Sequence, residues 1–236
     1  MANEIMTIRL TLDGFSYAEC PTSASILLDD APFHEVAPGP DFQSRLRESL
    51  LAEVAKSDAV RDVCCQFVST RVLVLPPHVT EVTQATAFYA LTFGQTEAEE
   101  QVILQPLTLP SGQAITLCFG INRELYHFML RNFDDVTFEH HLSTLITQGA
   151  QMASGNCLVT RCDTQILELA LFRGGKLDLV NVYRTSQADN RSYYLMNTWQ
   201  QQRLDQLHDN LLVLGQNTEA LQVRANMHRF IKHVFG

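Results

Sequence analysis

Met6, Ile8, Leu10 and Leu12 alternate with Thr7, Arg9 and Thr11, the two-residue period of a strand with one buried face. Asp13-Gly14 interrupts this pattern, and apolar positions resume from Phe15 to Cys20. Two strands joined by a tight hairpin turn are therefore predicted, because Asp-Gly readily reaches the positive φ such turns require. A short third strand is expected near residues 25–28. The stretch 29–40 holds three prolines and a glycine, a composition that argues against regular structure.

From Asp41 the spacing changes. Phe42, Leu46, Leu50 and Val54 recur at helical intervals and predict an amphipathic helix to about residue 56. Strands over 63–68 and 71–75 follow, the second stopped by Pro76-Pro77, and 80–93 reads as a helix. Apolar runs at 102–109 and 114–119 flank Pro110-Ser111-Gly112, a second hairpin signal. A helix over 122–132 buries Leu125, Phe128 and Met129, a short strand covers 136–138, and a helix over 139–152 buries Leu142, Leu145 and Ile146.

The opening order then returns. Strands at 157–161, 165–172 and 177–184 precede a helix at 191–207, a buried strand at 211–214 and a final helix at 218–234. That last helix aligns Val223, Met227, Phe230, Ile231 and Val234 on one face. Strand-strand-strand-helix-strand-helix thus occurs twice, with negligible identity between the copies. The expected fold class is α/β, with an N-terminal subdomain over 1–138 and a C-terminal one over 139–236 that begins with an interdomain helix. Leu10, Leu12, Val72, Val74, Leu117, Val159, Leu169 and Val213 are the expected core, because central strands covered on both faces read as continuous apolar runs.

Composition narrows the function classes. The 236 residues are 46% hydrophobic and 18% charged, enough apolar side chain for a substantial core. A net charge of −9 argues against nucleic acid as a partner. No run approaches the roughly 20 apolar residues that a membrane span requires, so a cytoplasmic chain not inserted in a membrane is expected. The six cysteines form no CxxC pair and read as small buried hydrophobes.

Particular stretches carry a resemblance to a known superfamily. Ile8-Arg9-Leu10-Thr11-Leu12-Asp13-Gly14-Phe15-Ser16, Thr70-Arg71-Val72-Leu73-Val74-Leu75-Pro76, and Ser192-Tyr193-Tyr194-Leu195 leading to Leu211-Leu212-Val213-Leu214-Gly215 resemble an uncharacterised bacterial domain-of-unknown-function family with an actin-like ATPase fold. Residues 114–146 also resemble the matching part of type IV pilus assembly ATPase-like proteins. The resemblance implies a duplicated βββαβα (ribonuclease H-like) plan, two subdomains with mixed sheets and a nucleotide site. In that superfamily the turn between the first two strands of each half is an Asp-x-Gly phosphate loop, where glycine admits close backbone approach.

By that resemblance Asp13, Gly14, Ser16 and Gly215 are nucleotide-site remnants. The first loop is Asp-Gly rather than Asp-x-Gly. The second, Arg161-Cys162-Asp163-Thr164, has no glycine. The adenosine-contacting turn is Gly215-Gln216-Asn217. The expected role is a degenerate actin-like scaffold for an unidentified protein partner, with little or no nucleotide hydrolysis, no catalytic residue, no bound metal and no cofactor, Mg-ATP binding weakly or not at all. The alternative is a working ATPase or small-molecule kinase, with Asp13 near the metal and Ser16 near the phosphate.

Other chemistry is thin. Gly174-Gly175-Lys176 lacks P-loop spacing and reads as a hairpin turn. His140-His141, read on a helix, point about a hundred degrees apart and make no ligand pair. Cys64-Cys65 lie in an apolar strand with nothing to activate a thiolate.

Overall fold

The computed structural model describes residues 4–21, 31–54, 62–76, 78–79, 81–94, 100–185 and 188–236. The chain divides into two compact units, Met1–Pro106 with Thr116–His141, and Leu107–Ile115 with Leu142–Gly236.

The first unit opens with β1 (Glu4–Leu10), β2 (Gly14–Pro21) and β3 (Phe33–Glu35), then α1 (Phe42–Val54) and β4 (Asp62–Phe67). It closes with α3 (Arg123–Asn132) and β8 (Asp135–His140). The strand order is β3-β2-β1-β4-β8. β1 runs antiparallel to β2 and parallel to β4, and β4 runs parallel to β8, so the sheet is mixed. Met6, Ile8 and Leu10 of β1, Val63 and Cys65 of β4, Leu46 and Leu50 of α1, and Leu125 and Met129 of α3 are buried. Between β4 and α3 the chain makes an inserted layer of β5 (Val72–Leu75), α2 (Val82–Phe93), β6 (Glu100–Thr108) and β7 (Ala114–Asn122), with strand order β5-β7-β6. Its core joins Leu75, Val79, Ala85, Tyr89, Val102 and Cys118. Arg71 ties this layer together, donating to Glu100 at 3.0 Å and to the Tyr89 hydroxyl at 3.1 Å. The tip of the β6–β7 hairpin belongs to the second unit, where the Gln113 side chain bridges the backbone N–H and C=O of Leu177.

The second unit runs α4 (Leu142–Met152), β9 (Asn156–Cys162), β10 (Ile166–Arg173), β11 (Lys176–Arg184), α5 (Ala188–Gln201), β12 (Asn210–Leu214), α6 (Thr218–Met227) and β13 (His233–Phe235). Its order, β11-β10-β9-β12-β13, repeats that of the first sheet. One face packs Leu158, Leu169 and Val213 with Trp199 of α5 and Val223 and Met227 of α6. α4 lies against the other face, where a Cβ on Gly149 would stand 2.8 Å from Phe172 and 3.1 Å from Val159. This position is glycine because the helix backbone sits directly on the sheet.

Several expectations need correction. Each half ends on a fifth strand, so the repeat is βββαβαβ, and the helix matching α6 is α3 rather than α2. The last helix stops at Met227 and His233–Phe235 pairs in parallel with β12, which leaves Phe230 half exposed. Residues 139 and 140 belong to β8, not to α4. A three-residue strand, β3, lies within the Pro-rich stretch 29–40, while the strand expected near 25–28 falls outside the described residues. Of the expected core, Leu10, Leu117, Val159, Leu169 and Val213 are buried and Val72 is partly so, but Leu12 is 49% and Val74 37% exposed. Leu12 sits in the β1–β2 turn. Side chains alternate along β5, so Val74 points away from the core that takes Leu73 and Leu75.

Candidate functional site

The two turns singled out by the sequence are topological equivalents. Leu10 pairs with Phe15 across the first, Cys162 with Leu167 across the second, and four residues separate the partners in each. Both close with the same backbone bond, Thr11 N–H to Gly14 C=O and Asp163 N–H to Ile166 C=O, each 3.0 Å. Thr11 therefore corresponds to Asp163, and Gly14 to Ile166.

In the first turn the Thr11 hydroxyl lies 2.7 Å from the Asp13 carboxylate and 3.0 Å from the Gly14 carbonyl. The Asp13 carbonyl accepts from Val36 N–H at 2.8 Å, which fixes the start of the loop after β3. Gly14 pairs with Glu35 of β3. A Cβ there would run into the His34 carbonyl oxygen and lie 2.8 Å from the Phe33 ring. The glycine is thus required by the close passage of β3, a reason independent of any ligand. Ser16, 4% exposed, stands opposite Arg9 on β1 and Phe33 on β3.

The second turn is closed by its own aspartate. One carboxylate oxygen of Asp163 accepts from the backbone N–H of Gln165 at 2.8 Å and of Ile166 at 2.7 Å, an Asx-type turn. On the other side of the turn, Arg191 of α5, 5% exposed, donates to the carbonyls of Asp163 at 2.7 Å and Thr164 at 2.9 Å. Two of the turn's N–H donors thus point at a carboxylate, and two of its carbonyls at a guanidinium. Burial pushes the neighbouring Cys162 thiol up to about 12, which removes it as a nucleophile at neutral pH.

Gly215, with φ +94°, ends β12 in a backbone conformation that favours glycine. Its carbonyl accepts from Arg224 of α6, whose guanidinium also reaches the Val213 carbonyl at 3.1 Å. Asn217 caps α6 through Ala220 N–H at 2.9 Å and donates from its amide to the Cys162 carbonyl, also at 2.9 Å. The loop after β12 is thereby tied to the end of β9. Asp13, Gly14 and Ser16 lie together in the first unit and Gly215 in the second.

Arg191 and Arg224 were missed from the sequence, where they read as ordinary helix residues, and Asn217, read as part of the adenosine-contacting turn, proves to be the cap of α6. Arg9 and Arg161 occupy equivalent positions, one residue before the end of the first strand of each sheet. Aligning residues 6–10 with 158–162 would have exposed that repeat. Gly174 and Gly175, at φ +56° and +78°, form the expected hairpin turn between β10 and β11. His140 is fully buried at the end of β8, its ring nitrogen 3.3 Å from the Ser69 hydroxyl and its backbone N–H bonded to Gln105. It is therefore a packed strand residue and not the helical residue expected. Among the described residues no three His, Cys, Asp or Glu side chains cluster as a metal site would require, and no helix is long and apolar enough to cross a membrane.

Comparison with known proteins places this geometry. The model of a family described as "Protein of unknown function (DUF3822)" matches residues 1–234. A Bacteroides thetaiotaomicron protein with actin-like ATPase fold and unknown function aligns over 99% of this chain and 90% of its own at TM-score 0.77 and 21% identity. A chain of the PilM-PilN type IV pilus biogenesis complex aligns over 98% and 87%, at TM-score 0.55 and 15% identity. Among curated proteins no sequence matches. The fold is that of the actin-like ATPases, as the order of elements in the sequence had implied.

Proposed function

The chain belongs to the DUF3822 family, and from its own loop geometry we propose that it is an actin-like scaffold that works by binding another protein, with little or no nucleotide hydrolysis. One observation carries this reading. The N–H groups of Gln165 and Ile166, at the turn where a phosphate loop would offer donors, are bonded to the chain's own Asp163 carboxylate. A triphosphate would have to displace that carboxylate and then sit beside its negative charge. Gly14 supports the same reading from the first turn, since the close passage of β3 accounts for the glycine without a ligand. The remnants Asp13, Gly14, Ser16 and Gly215 then serve turn and loop structure.

The protein would act in the cytoplasm without Mg-ATP as a cofactor. That one similar structure is a two-protein assembly, PilM-PilN, fits a scaffold role, though the likeness extends to the fold alone. Calorimetric titration with Mg-ATP, repeated with ADP, tests the proposal together with a phosphate-release assay. No saturable heat and no turnover above background are expected. Submicromolar ATP affinity, or turnover abolished by Asp13→Ala, would overturn the scaffold reading in favour of the ATPase.

A further inference from the structure

The first unit carries a groove of about 860 Å³ between α1 and α3 that no feature of the nucleotide-type loops explains. It follows α1 from Gln43 to Leu51 and α3 from Arg123 to Asn132, so it is roughly 12–14 Å long at 1.5 Å per residue. Arg47 on α1 and Glu124 on α3 are joined at 3.1 Å, linking the two walls. Leu51, 40% exposed, and the half-buried Phe128 supply apolar surface.

The charges in this groove run against the chain as a whole. Arg47, Arg123 and Arg131 face two acids, Glu48 and Glu124, a local balance of +1 on a chain of −9. Arg47 neutralises Glu124. Arg123 donates to the Glu100 carbonyl at 3.3 Å and Arg131 to the His127 carbonyl at 3.2 Å. Among the described residues neither Arg123 nor Arg131 has a carboxylate partner. They are eight residues apart on one helix, so their Cα atoms are separated by roughly 12 Å. A partner that presents two negative groups at that separation with an apolar group between them would match both arginines and the apolar surface of Leu51 and Phe128.

We propose that the α1–α3 groove is a docking site for an acidic amphipathic helix of a partner protein. A helix carrying acidic residues seven or eight positions apart places two carboxylates on one face about 10–12 Å apart, matching Arg123 and Arg131. An apolar residue midway meets Leu51 and Phe128. This deepens the scaffold reading by naming the class of partner, and it does not depend on whether nucleotide binds.

The test is selection from a library of random sixteen-residue helical peptides displayed on phage, against the full chain. Enriched peptides are then measured by fluorescence anisotropy with and without Mg-ATP. Enrichment of acidic pairs seven or eight apart around an apolar residue is expected. Arg123→Glu with Arg131→Glu should weaken these peptides at least tenfold, and rising salt should weaken them further. The milder pair Arg123→Ala with Arg131→Ala, at two exposed positions, should give a loss of the same direction if the reversal impairs folding. Absence of enrichment, peptides indifferent to both double variants, or displacement by micromolar inorganic phosphate would overturn the inference. Peptide binding that persists alongside measurable ATP turnover would uphold the groove while refuting the non-hydrolysing reading. Loss of peptide binding with no turnover would do the reverse.

Discussion

Replacing Asp163 by alanine removes one acceptor from two backbone donors, Gln165 N–H at 2.8 Å and Ile166 N–H at 2.7 Å. Ile166 is 3% exposed, so water reaches its N–H poorly once the carboxylate is gone. Loss of a comparable side-chain cap costs about 0.5–2 kcal/mol, and an unsatisfied buried donor adds to it. The expected destabilisation is about 1–2 kcal/mol. At roughly 2–4 °C per kcal/mol for a chain of this size, the melting temperature should fall by about 2–8 °C. Asp163→Asn keeps a side-chain carbonyl in the same place and should recover part of the loss. The chain's single tryptophan, Trp199, is 1% exposed in the core of the same unit, so its fluorescence reports unfolding where the change is made. Identical Trp199 transitions for the wild type and Asp163→Ala would show that the turn does not depend on its aspartate. The argument that its donors are engaged would then fall.

Gly14→Ala should destabilise the fold by about 1–3 kcal/mol, because the new methyl at this buried position meets the His34 carbonyl and β3 must move away from β2. Faster amide exchange across the β2–β3 pairing would register that movement, and unchanged exchange would refute the packing account. Burial and the Glu139 charge push Cys64 up to about 12, and burial pushes Cys162 to about 12, against 9.0 for an exposed thiol. Because the folded values are raised, these thiols leave stability unchanged below pH 9 and lower it as the pH rises from 9 toward 12, where the unfolded chain ionises first. Urea midpoints at pH 8 and at about 10.5 should therefore diverge, and Cys162→Ala should narrow the gap; an unaltered gap would place the alkaline loss elsewhere.

Much of the architecture was legible because long strands and helices impose their period on the sequence. β1 shows it in Met6, Ile8 and Leu10, and α1 in Leu46 and Leu50. The errors fell where a short element is made by pairing rather than by its own pattern. β3 and β13 have three residues each, too few to display alternation, and exist because β2 and β12 offer open edges. Phe230, Ile231 and Val234 continue the helical spacing of Val223 and Met227, and no proline or glycine marks the stop. Only the parallel pairing of His233–Phe235 with β12 decides against helix. His140 misled in the opposite direction, because Val136, Phe138 and His140 carry a two-residue period that the following apolar helix obscured.

The candidate site was harder to read, since its chemistry lies in what each turn residue bonds to within its own loop. Thr11 and Asp163 occupy the same place in equivalent turns and solve the same problem with opposite polarity. The Thr11 hydroxyl reaches the carbonyl of the fourth residue, Gly14, whereas the Asp163 carboxylate receives the N–H of the fourth residue, Ile166. In the first unit that fourth residue must be glycine, because a third strand crosses it closely. In the second unit β11 ends its pairing with β10 at the equivalent residue, Ile166 opposite Arg184, yet a full isoleucine side chain is buried there. The glycine that distinguishes the two loops therefore follows from how near the neighbouring strand comes. An Asp-Gly pair at a first hairpin is, on this geometry, as well explained by strand packing as by phosphate recognition. The acid at Asp163, in a loop that lacks the glycine of a phosphate loop, is placed to close its own turn.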